Sequence, residues 1–481
     1  MSGTAVTSSG SVAPSKVLAI DLDHTLIKAD FLEESVFLFL KKRPWGVFAL
    51  LRYLLTSRVN LKNFLASNVH IKVELLPYNT KVIEHIKKAR EGGNTIVLAS
   101  ASPLRFVQAV ADYLELFDKV VATESTNLKG VDKLNVLREL YPQAQISYIG
   151  DSSADIPIWK DLGKAMMVNP SRLTLKRVKL AQIPTDIIDD SRKFSLKIIS
   201  KAFRYHQWAK NFLIFLPLFL AHAYQVDLWK ISILAFIAFS FTASSIYIIN
   251  DLFDLEADRK HPKKRKRPFA SGALSISQGI MLYGATASLA VVLAALIGYE
   301  FFICLLIYFL ANLAYTLRLK QVHSLDIIML AGMYTIRIIA GSKTTGIEVS
   351  QWLLAFSTFL FFGLAALKRF VEVSGLSPGQ LAAGRGYYAE DKVPLAALGG
   401  ASSLMACLVL ALYFNSPAVD QLYVRPDVLW LILPIHMYWV SSIWVLASRG
   451  KIDDDPVLYT IKSRTTYVLA AMVGLVVYLA M

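Results

Sequence analysis

Acidic, hydroxyl and lysine side chains stand near the ends of short apolar runs in the first third of the chain. The runs KVLAI, IVLA and ISYI lead into most of them, and the candidates for chemistry are Asp21, Asp23, Ser100, Lys133, Asp151 and Asp155. Asp is a poor strand former, so packing alone gives little reason for acids in these places. Carboxylates gathered at one point repel each other unless a hard cation such as Mg²⁺ neutralises them. The pattern therefore predicts a magnesium site in this part of the chain.

The elements that must position these residues alternate between strand and helix from Lys16 to about Asn169. Val- and Ile-rich runs recur as KVLAI, NTIVLA, KVVAT, QISYI and KAMMV, and helical stretches such as TKVIEHIKKAREGG separate them. This order is typical of βαβ units in a mostly parallel sheet, whose ligands bind beyond the carboxyl ends of the strands. We therefore expect a Rossmann-like α/β domain over 16–170. Residues 1–15 are polar and have no apolar h-region, so we expect a disordered tail and no signal peptide.

The strand-end motifs, taken in this order, resemble those of the haloacid dehalogenase-like phosphatase superfamily over nearly the whole of this domain. The resemblance implies that Asp21 attacks phosphorus to form an aspartyl-phosphate, and that Asp23 acts first as general acid and then as general base. It also implies that Ser100 and Lys133 hold the phosphoryl oxygens. The Mg²⁺ ligands that it implies are Asp21, the carbonyl of Asp23, Asp151 and, in support, Asp155. A domain kept as an inert scaffold is the alternative, although every one of these residues is present.

About 70 residues separate the first two strand-end motifs, which is long for one crossover connection. They contain SVFLFLKKRPWGVFALLRYLL, which predicts a helical cap. One face of this stretch carries Trp45, Phe48 and Leu51. Two interpretations of that face stay open: it contacts the bilayer, or the cap packs against the phosphatase core.

Long apolar segments follow one another after about residue 208. Each is close to the ~20 residues that cross a hydrocarbon core. About nine crossings are predicted, centred near Leu216, Phe241, Leu289, Leu306, Leu330, Leu360, Met405, Ile435 and Met472. Hydrophobic residues make up 55% of the chain and charged residues 18%, which excludes an ordinary soluble enzyme and a disordered chain. The two cysteines, Cys304 and Cys407, lie in apolar runs and predict core packing. The fold class is thus an α/β domain followed by an all-α membrane bundle.

The loops between these segments differ in charge. Lys and Arg concentrate after the second, fourth, sixth and eighth segments, which the positive-inside rule places in the cytoplasm. We therefore expect a multi-pass protein of a bacterial-type inner membrane, with the α/β domain and both active sites on the cytoplasmic side. The stretch 171–207 is basic and partly amphipathic, and it predicts either a juxtamembrane helix on anionic lipid or a free linker.

A second group of acids lies where the second apolar segment ends. At ~100° per helical residue, Asp251, Asp254 and Asp258 fall within about 60° of each other, and Asn250 precedes them. Ionisable groups at a membrane boundary are expensive and usually functional, although a solvated loop face is the alternative. Like charges at this spacing need a counter-ion, which a divalent metal carrying a diphosphate supplies.

Basic residues follow these acids in the run HPKKRKRPFASG, where Lys264 and Arg267 are either phosphate contacts or part of the topology signal. NDxxDxxxD followed by HPxKxxRPxxSG resembles the UbiA superfamily of intramembrane prenyltransferases, from about Gln207 onwards. The run QWAKN, with Lys210 and Asn211, fits that resemblance.

The chain also departs from the common pattern of that superfamily, because most members carry a second DxxxD motif after the fourth segment. In that region Asp326 has no partner acid, and the cations Lys320 and Arg337 lie near it in the sequence. This variant is similar to the decaprenyl-phosphate 5-phosphoribosyltransferase branch, which implies 5-phosphoribosyl diphosphate as donor and a polyprenyl phosphate as acceptor. The resemblance implies that Asp251, Asp254 and Asp258 hold Mg²⁺ on the donor. The candidate substrate contacts are Lys210, Asn211, Asn250, Lys264, Arg267, Lys320, Asp326, Arg337 and Lys368.

Together the two halves predict a bifunctional enzyme of cell-envelope lipid synthesis that makes a lipid-linked phosphoribose and then removes its 5-phosphate, with Mg²⁺ in both domains. The alternative is prenyl transfer from a prenyl diphosphate to an aromatic or quinone-precursor acceptor, with a phosphatase for another substrate. It predicts a second acid motif and fewer cations. A transporter or lipid-binding scaffold predicts paired half-sequences with broken helices, and the sequence has no internal repeat. We expect lipid and phosphorylated sugar as partners and no nucleic acid, and a homo-oligomer stays open.

Overall fold

The chain divides into two compact units. The computed structural model describes residues 16–124, 128–188, 195–382, 384–452 and 455–481. The tail expected over 1–15 lies outside these residues. The first unit is made of residues 1–202 together with 251–281, and the second of residues 203–250 together with 282–481.

A six-stranded parallel sheet in the order β3-β2-β1-β4-β5-β6 forms the centre of the first unit. Its strands are β1 (Lys16–Ile20), β2 (Thr95–Pro103), β3 (Lys119–Thr123), β4 (Gln145–Gly150), β5 (Ala165–Val168) and β6 (Thr185–Ile188). The helices of this part are α1 (Phe31–Lys42), α2 (Val47–Thr56), α3 (Arg58–Asn68), α4 (Thr80–Glu91), α5 (Leu104–Leu114), α6 (Val131–Leu140), α7 (Ile156–Leu162) and α8 (Arg172–Leu180). The predicted α/β class is confirmed.

Alternate residues of the strands enter two different hydrophobic cores. Leu18 and Ile20 of β1 pack in one cluster, and Val17 and Ala19 pack in the other. Side chains of a strand point to opposite faces in turn, so both faces of this sheet are covered. Because both faces of the sheet are buried, consecutive residues of a strand are apolar, as in KVLAI.

The connection between β1 and β2 is helical, as predicted. Helices α1, α2 and α3 fill it, and Leu50 of α2 is buried in the same core cluster as Phe39 and Leu65. Trp45 and Phe48 are exposed. The cap therefore packs against the core of the sheet domain, as one of the two interpretations has it, but the face with Trp45 and Phe48 takes no part in that packing.

Part of the stretch expected as a linker belongs to the sheet domain. Helix α8 and strand β6 lie inside 171–207, and β6 pairs with β5 from Ala165↔Thr185 to Val168↔Ile188. The basic residues of α8 made it resemble a membrane-surface segment, but a sixth strand follows it. The domain thus extends past residue 170.

Apolar helices dominate the rest of the chain. They and the shorter helices between them are α9 (Leu196–Phe203), α10 (Leu216–Leu220), α11 (Val226–Phe253), α12 (Leu255–Lys260), α13 (Ile276–Ile297), α14 (Tyr299–Leu317), α15 (Leu325–Thr345), α16 (Gln351–Ser374), α17 (Lys392–Phe414), α18 (Pro417–Asp420), α19 (Ile432–Ser448), α20 (Pro456–Lys462) and α21 (Arg464–Ala480). Among the described residues, 7 helical spans are long and apolar enough to cross a membrane, or up to 8 if α20 and α21, bent by 73°, count as one.

The structure has fewer candidate crossings among its described residues than the nine predicted, and it differs from the prediction at the first segment, near Leu216. Residues Tyr205–Phe215 form a 3₁₀ helix, and α10 adds only 5 residues after it. Pro217 stands in the first turn of α10, a position that begins a helix and does not continue one. The segment packs closely on α15, because a Cβ on Gly341 would collide with the carbonyl of Ile214.

Candidate active sites

The acid cluster of the first unit lies at the carboxyl ends of β1 and β4, which are neighbours in the sheet. One ligand oxygen from each of Asp21, Asp151 and Asp155 lies within 4.8 Å of the others. The backbone N–H of Asp21 donates to the carbonyl of Ile149 at 2.9 Å, which holds the two strand ends against each other. The structure thus brings these acids together as the sequence predicts.

Burial and the neighbouring acids raise the pKa values of Asp151 and Asp155. The pKa of Asp151 rises to about 8, first because the carboxyl group is buried and then because Asp21 and Asp155 lie beside it. Burial also raises the pKa of Asp155, and Asp21 adds to the shift. Three carboxylates that repel each other at this separation fit a hard cation with oxygen ligands, such as Mg²⁺.

Lys133 enters this cluster from α6 and is almost fully buried. Its Nζ lies 3.0 Å from a carboxylate oxygen of Asp21 and donates to the hydroxyl of Tyr148 at 2.7 Å. That hydroxyl lies 3.1 Å from oxygens of both Asp21 and Asp155, so it donates to one of them at a time. Tyr148 therefore connects the lysine to two acids. Sequence reasoning missed it, because a tyrosine inside the strand QISYI looks like a core residue.

Asp23 is held by two hydrogen bonds to its carboxylate. The N–H of Phe31 donates to one oxygen at 2.8 Å, and the hydroxyl of Ser102 donates to the other at 2.6 Å. Burial raises the pKa of Asp23 to about 7, which suits a group that gives and takes a proton near neutral pH. Ser100 is fully buried and accepts from the N–H of Ser102 at 3.0 Å. Ser102, which the sequence did not single out, thus contacts both.

A cavity of about 1570 Å³ opens within the first unit beside these acids. Asp151 and Ser152 line it from the end of β4, and Arg259 and Arg265 line it from segment 251–281. A space of this size admits a substrate much larger than a phosphate ion. Its basic and hydroxyl groups suit a polar, anionic headgroup.

The second acid group does not form the single helix face that the sequence predicted. Helices α11 and α12 are separate, with Asp254 between them at φ −91° and ψ 11°. Asp251 and Asp258 are buried and meet at Arg267, whose Nη1 lies 3.2 Å from one carboxylate and 2.7 Å from the other. No three-acid cluster occurs here among the described residues. Two carboxylates that share one guanidinium nitrogen still fit a single divalent cation. Lys264, a predicted substrate contact, is exposed and lies nearby in the chain.

Segment 251–281 is attached to the connection between β1 and β2 by two ion pairs of different burial. Arg259 pairs with Glu34 through two hydrogen bonds of 3.2 and 2.5 Å, and these side chains are only 6% and 4% exposed. Lys72 pairs with Glu256 at 3.2 Å, with 40% and 33% exposure. The buried pair is therefore the main polar anchor of the segment that carries Asp251 and Asp258.

A pocket of about 180 Å³ lies inside the second unit. Its charged lining consists of Lys210, Arg337, Lys368, Arg385 and Asp455. Its neutral polar lining consists of Tyr247, Asn250, Tyr308, Asn312, Tyr315, Thr316 and Tyr334. An excess of cations with many hydroxyl and amide groups suits an anion that also carries hydroxyls. Lys210, Asn250, Arg337 and Lys368 are the predicted substrate contacts found in this lining.

Lys210 and Arg337 are held by protein groups, as Arg385 also is through Tyr315 and Asp326. The Nζ of Lys210 lies 2.6 Å from the carboxylate of Asp455. Arg337 donates through Nε to the side-chain oxygen of Asn211 at 2.8 Å and through Nη2 to the hydroxyl of Tyr308 at 3.0 Å. Asn211 is itself buried and does not line the pocket, so it positions Arg337.

Lys368 differs from those cations. It lines the pocket from α16, and in the part of the chain that the structure describes its amine has no hydrogen-bond or ion-pair partner. An incoming anion can therefore pair with this amine without first displacing a carboxylate that the structure describes.

Asp326 is fully buried and does not line the pocket. Arg369 donates to both of its oxygens, and the hydroxyl of Tyr315 donates to one of them at 2.8 Å. Arg385 approaches the same carboxylate at 3.5 Å. The acid therefore positions two groups of the pocket wall, Tyr315 and Arg385. Lys320, another predicted contact, lies outside the lining.

Asp455 is the main residue of this pocket that sequence reasoning missed. It lies 245 positions from its partner Lys210, in the run DDDP ahead of the last apolar segment. An acidic run before a proline is typical of a loop, so the local pattern gave no sign of an ion pair with QWAKN.

Two family models match the chain. The model of the UbiA prenyltransferase family matches residues 211–459, and the model of haloacid dehalogenase-like hydrolases matches residues 59–160. Both matches lie where the sequence resemblances were found, at the second acid group and in the sheet domain.

Three curated relatives extend this comparison. The uncharacterised protein y4nM of Sinorhizobium fredii is 33% identical over 473 residues, which cover 96% of this chain and 91% of y4nM. The nodulation protein NoeC of Azorhizobium caulinodans is 33% identical over 286 residues, or 57% of this chain and 91% of NoeC. A decaprenyl-phosphate phosphoribosyltransferase of Corynebacterium glutamicum is 33% identical over 226 residues, or 44% of this chain and 64% of that protein.

Proposed function

Because the chain belongs to the UbiA prenyltransferase family and also carries a haloacid dehalogenase-like hydrolase domain, we propose that it makes and then dephosphorylates a lipid-linked ribose. The donor is 5-phosphoribosyl diphosphate, the acceptor is a polyprenyl phosphate, and the hydrolase domain removes the 5-phosphate of the product. Both families are enzyme families, and the apolar helices make the chain a multi-pass membrane protein. We place both active sites on the cytoplasmic side, on the basis of the loop charges.

The observation that carries the proposal is the cationic pocket of the second unit. Its lining contains four basic side chains and one carboxylate, that of Asp455. Any diphosphate needs cations, but a phosphorylated sugar also needs hydrogen-bonding groups for its hydroxyls, and this pocket offers both; the apolar lining that a lipid chain needs lies in a separate cavity of about 650 Å³. Asp326, the acid that remains of the second motif, pairs with Arg369 and Arg385 and does not itself line the pocket, where Lys368 faces an incoming anion. Relatives named decaprenyl-phosphate phosphoribosyltransferase support the same donor.

In the transfer, an oxygen of the lipid phosphate attacks the anomeric carbon while the bond from that carbon to the diphosphate breaks. Asp251 and Asp258, with Asp254 as a further ligand, would hold Mg²⁺, which would neutralise charge on the leaving diphosphate. Arg267, which contacts both buried acids, pairs with diphosphate oxygens in this proposal. Lys368 pairs with the 5-phosphate, because its amine is accessible to an anion in the pocket.

In the hydrolysis, the carboxylate of Asp21 attacks the phosphorus of the 5-phosphate, and the bond from phosphorus to the ribose oxygen breaks. Asp23 gives its proton to that oxygen, then takes a proton from the water that splits the aspartyl-phosphate and releases orthophosphate. Lys133 neutralises the phosphoryl oxygens, and Asp21 and Asp151, with Asp155 in support, would hold Mg²⁺, which would add to that neutralisation. The cavity of about 1570 Å³ beside Asp151 supports a bulky substrate.

The test uses the purified full-length protein with Mg²⁺, 5-phosphoribosyl diphosphate and a mixture of polyprenyl phosphates. Mass spectrometry of the lipids, with diphosphate and orthophosphate assays, follows both steps. Asp21→Asn should accumulate the phosphorylated lipid, and Asp251→Ala should stop formation of both lipids. Asp227→Ala is the matched control for the second variant, because Asp227 lies at the other end of α11 and is 92% exposed.

Two outcomes contradict the proposal in different ways. If Asp21→Asn leaves the lipid products unchanged, the hydrolase domain acts on another substrate. If the protein instead prenylates an aromatic acceptor from a prenyl diphosphate without any sugar donor, the transferase assignment is wrong.

A further inference from the structure

Helix α2 exposes an apolar face that the described residues of the first unit do not cover. The exposed fractions are 83% for Trp45, 66% for Phe48, 50% for Leu51, 53% for Leu54 and 86% for Leu55. Large apolar side chains are rarely grouped in this way on a soluble surface, and such patches mark interaction sites. The face therefore needs a partner.

The opposite face of α2 is firmly packed. Leu50 is 8% exposed within the core, and the ring of Tyr53 stacks on Phe64 at a centroid distance of 4.5 Å. The exposed side chains consequently belong to an ordered helix with a fixed orientation. They form one continuous surface, which starts in the turn Pro44–Gly46 and runs along the helix.

The stretch of sequence that contains this face carries charged residues of one sign. Residues 35–73 contain 7 Lys or Arg and no Asp or Glu. Lys41, Lys42 and Arg43 are exposed directly before Trp45. Two copies of such a surface would repel each other, whereas the anionic headgroups of a bilayer would attract it.

The end of α1, which precedes α2 in the chain, lies next to the end of a candidate membrane span. The amine of Lys41 donates to the carbonyl of Phe253, and the ring of Phe37 lies 5.7 Å from the ring of Phe253. Phe253 is the last residue of α11, one of the apolar spans. Since spans end at the bilayer boundary, the lysine that precedes α2 lies at that boundary too.

We propose that α2 lies in the headgroup region of the bilayer that the chain spans, with its Trp, Phe and Leu side chains among the upper acyl chains. Trp and Leu on an apolar face beside lysine and arginine are the composition of interfacial helices. The basic residues before Trp45 contact anionic headgroups. This contact holds the hydrolase domain on the membrane surface, and it does not depend on the reaction assigned to either active site.

Nitroxide scanning of the full-length protein tests this contact. Cys304 and Cys407, both buried, are replaced by Ala, and single cysteines are introduced by Phe48→Cys, Leu51→Cys or Tyr113→Cys. Tyr113 is the matched control, because it is 50% exposed like Leu51 and lies on α5 of the same unit. Each variant is spin-labelled and reconstituted into vesicles of phosphatidylcholine and phosphatidylglycerol. Collision rates with oxygen, which concentrates in acyl chains, are compared with those of a water-soluble nickel chelate.

We expect oxygen to collide more often than the nickel chelate at positions 48 and 51, and the reverse at position 113. Equal access of the chelate to positions 51 and 113 would show that α2 faces water, which overturns the proposal. Protection of positions 48 and 51 from both reagents would show a protein partner or a second copy, which overturns it as well. Variants are compared only where labelling leaves the unfolding temperature of the parent unchanged.

Discussion

Removal of the cation from the buried Arg259–Glu34 pair should release segment 251–281 from the cap helices. Arg259→Leu leaves the Glu34 carboxylate, 4% exposed, without its bidentate partner. Loss of one partner from a buried ion pair costs about 3–5 kcal/mol, because the remaining charge stays desolvated. At about 1.4 kcal/mol for each factor of ten, the lower value raises the open population of the segment about 100-fold.

The exposed pair in the same contact provides an internal control. Lys72→Met removes the partner of Glu256, whose side chain is 33% exposed, and exposed pairs are worth about 0–1 kcal/mol. The double variant Glu34→Leu with Arg259→Leu removes both buried charges and should recover most of the loss, as apolar replacements of buried pairs do.

Hydrogen exchange of the backbone amides in 255–275 measures these differences in the full-length protein. We expect exchange there to accelerate strongly in Arg259→Leu and only slightly in Lys72→Met. Equal acceleration in the two variants would refute the reasoning, since burial would then not decide the strength of the pair. A double variant that exchanges as fast as Arg259→Leu would refute it too.

Two further predictions concern the sites themselves. Because burial and neighbouring acids raise the pKa of Asp151 to about 8, its proton stabilises the folded state at low pH and this stabilisation is lost as pH rises from about 4 through 8. The unfolding temperature in chelator should therefore fall over that window, and saturating Mg²⁺ should remove the fall; parallel curves with and without Mg²⁺ would contradict this. Lys368→Met should raise KM for the sugar donor about 10-fold or more, as expected when a charge-assisted hydrogen bond of about 1.5–3 kcal/mol is lost. Lys343→Met, which changes a half-exposed lysine outside the pocket, should leave that KM unchanged in the same steady-state assay.

The site of the first unit was largely predictable because strand ends carry positional information. In a parallel sheet every strand delivers its next residue to the same edge, so Asp21 and Asp151 had to meet once β1 and β4 were neighbours. Tyr148 was not predicted as a residue of this site, because it stands inside a strand and only its hydroxyl reaches the acid cluster. Alternation shows which face a side chain points to, and not how far a long side chain extends.

The acid group of segment 251–281 and the pocket of the second unit were less predictable, because each joins residues that the local sequence pattern does not relate. Helical periodicity placed Asp251 and Asp258 on one face, and the structure joins them through Arg267 across a helix break at Asp254. A rotation of 100° per residue holds only while the helix continues. The pairing of Lys210 with Asp455 depends on which helices are neighbours, and hydrophobic patterning does not contain that information.

The first unit is discontinuous, since residues 251–281 complete a body that otherwise ends at residue 202. A fragment that stops after the sheet domain would lack the guanidinium that neutralises Glu34, and a fragment that begins after it would expose the same guanidinium without its carboxylate. The two catalytic halves are therefore not interchangeable modules, although their motifs follow one another along the sequence as if they were separate domains. Transplanting either half into another protein requires carrying 251–281, or a redesigned surface, along with it.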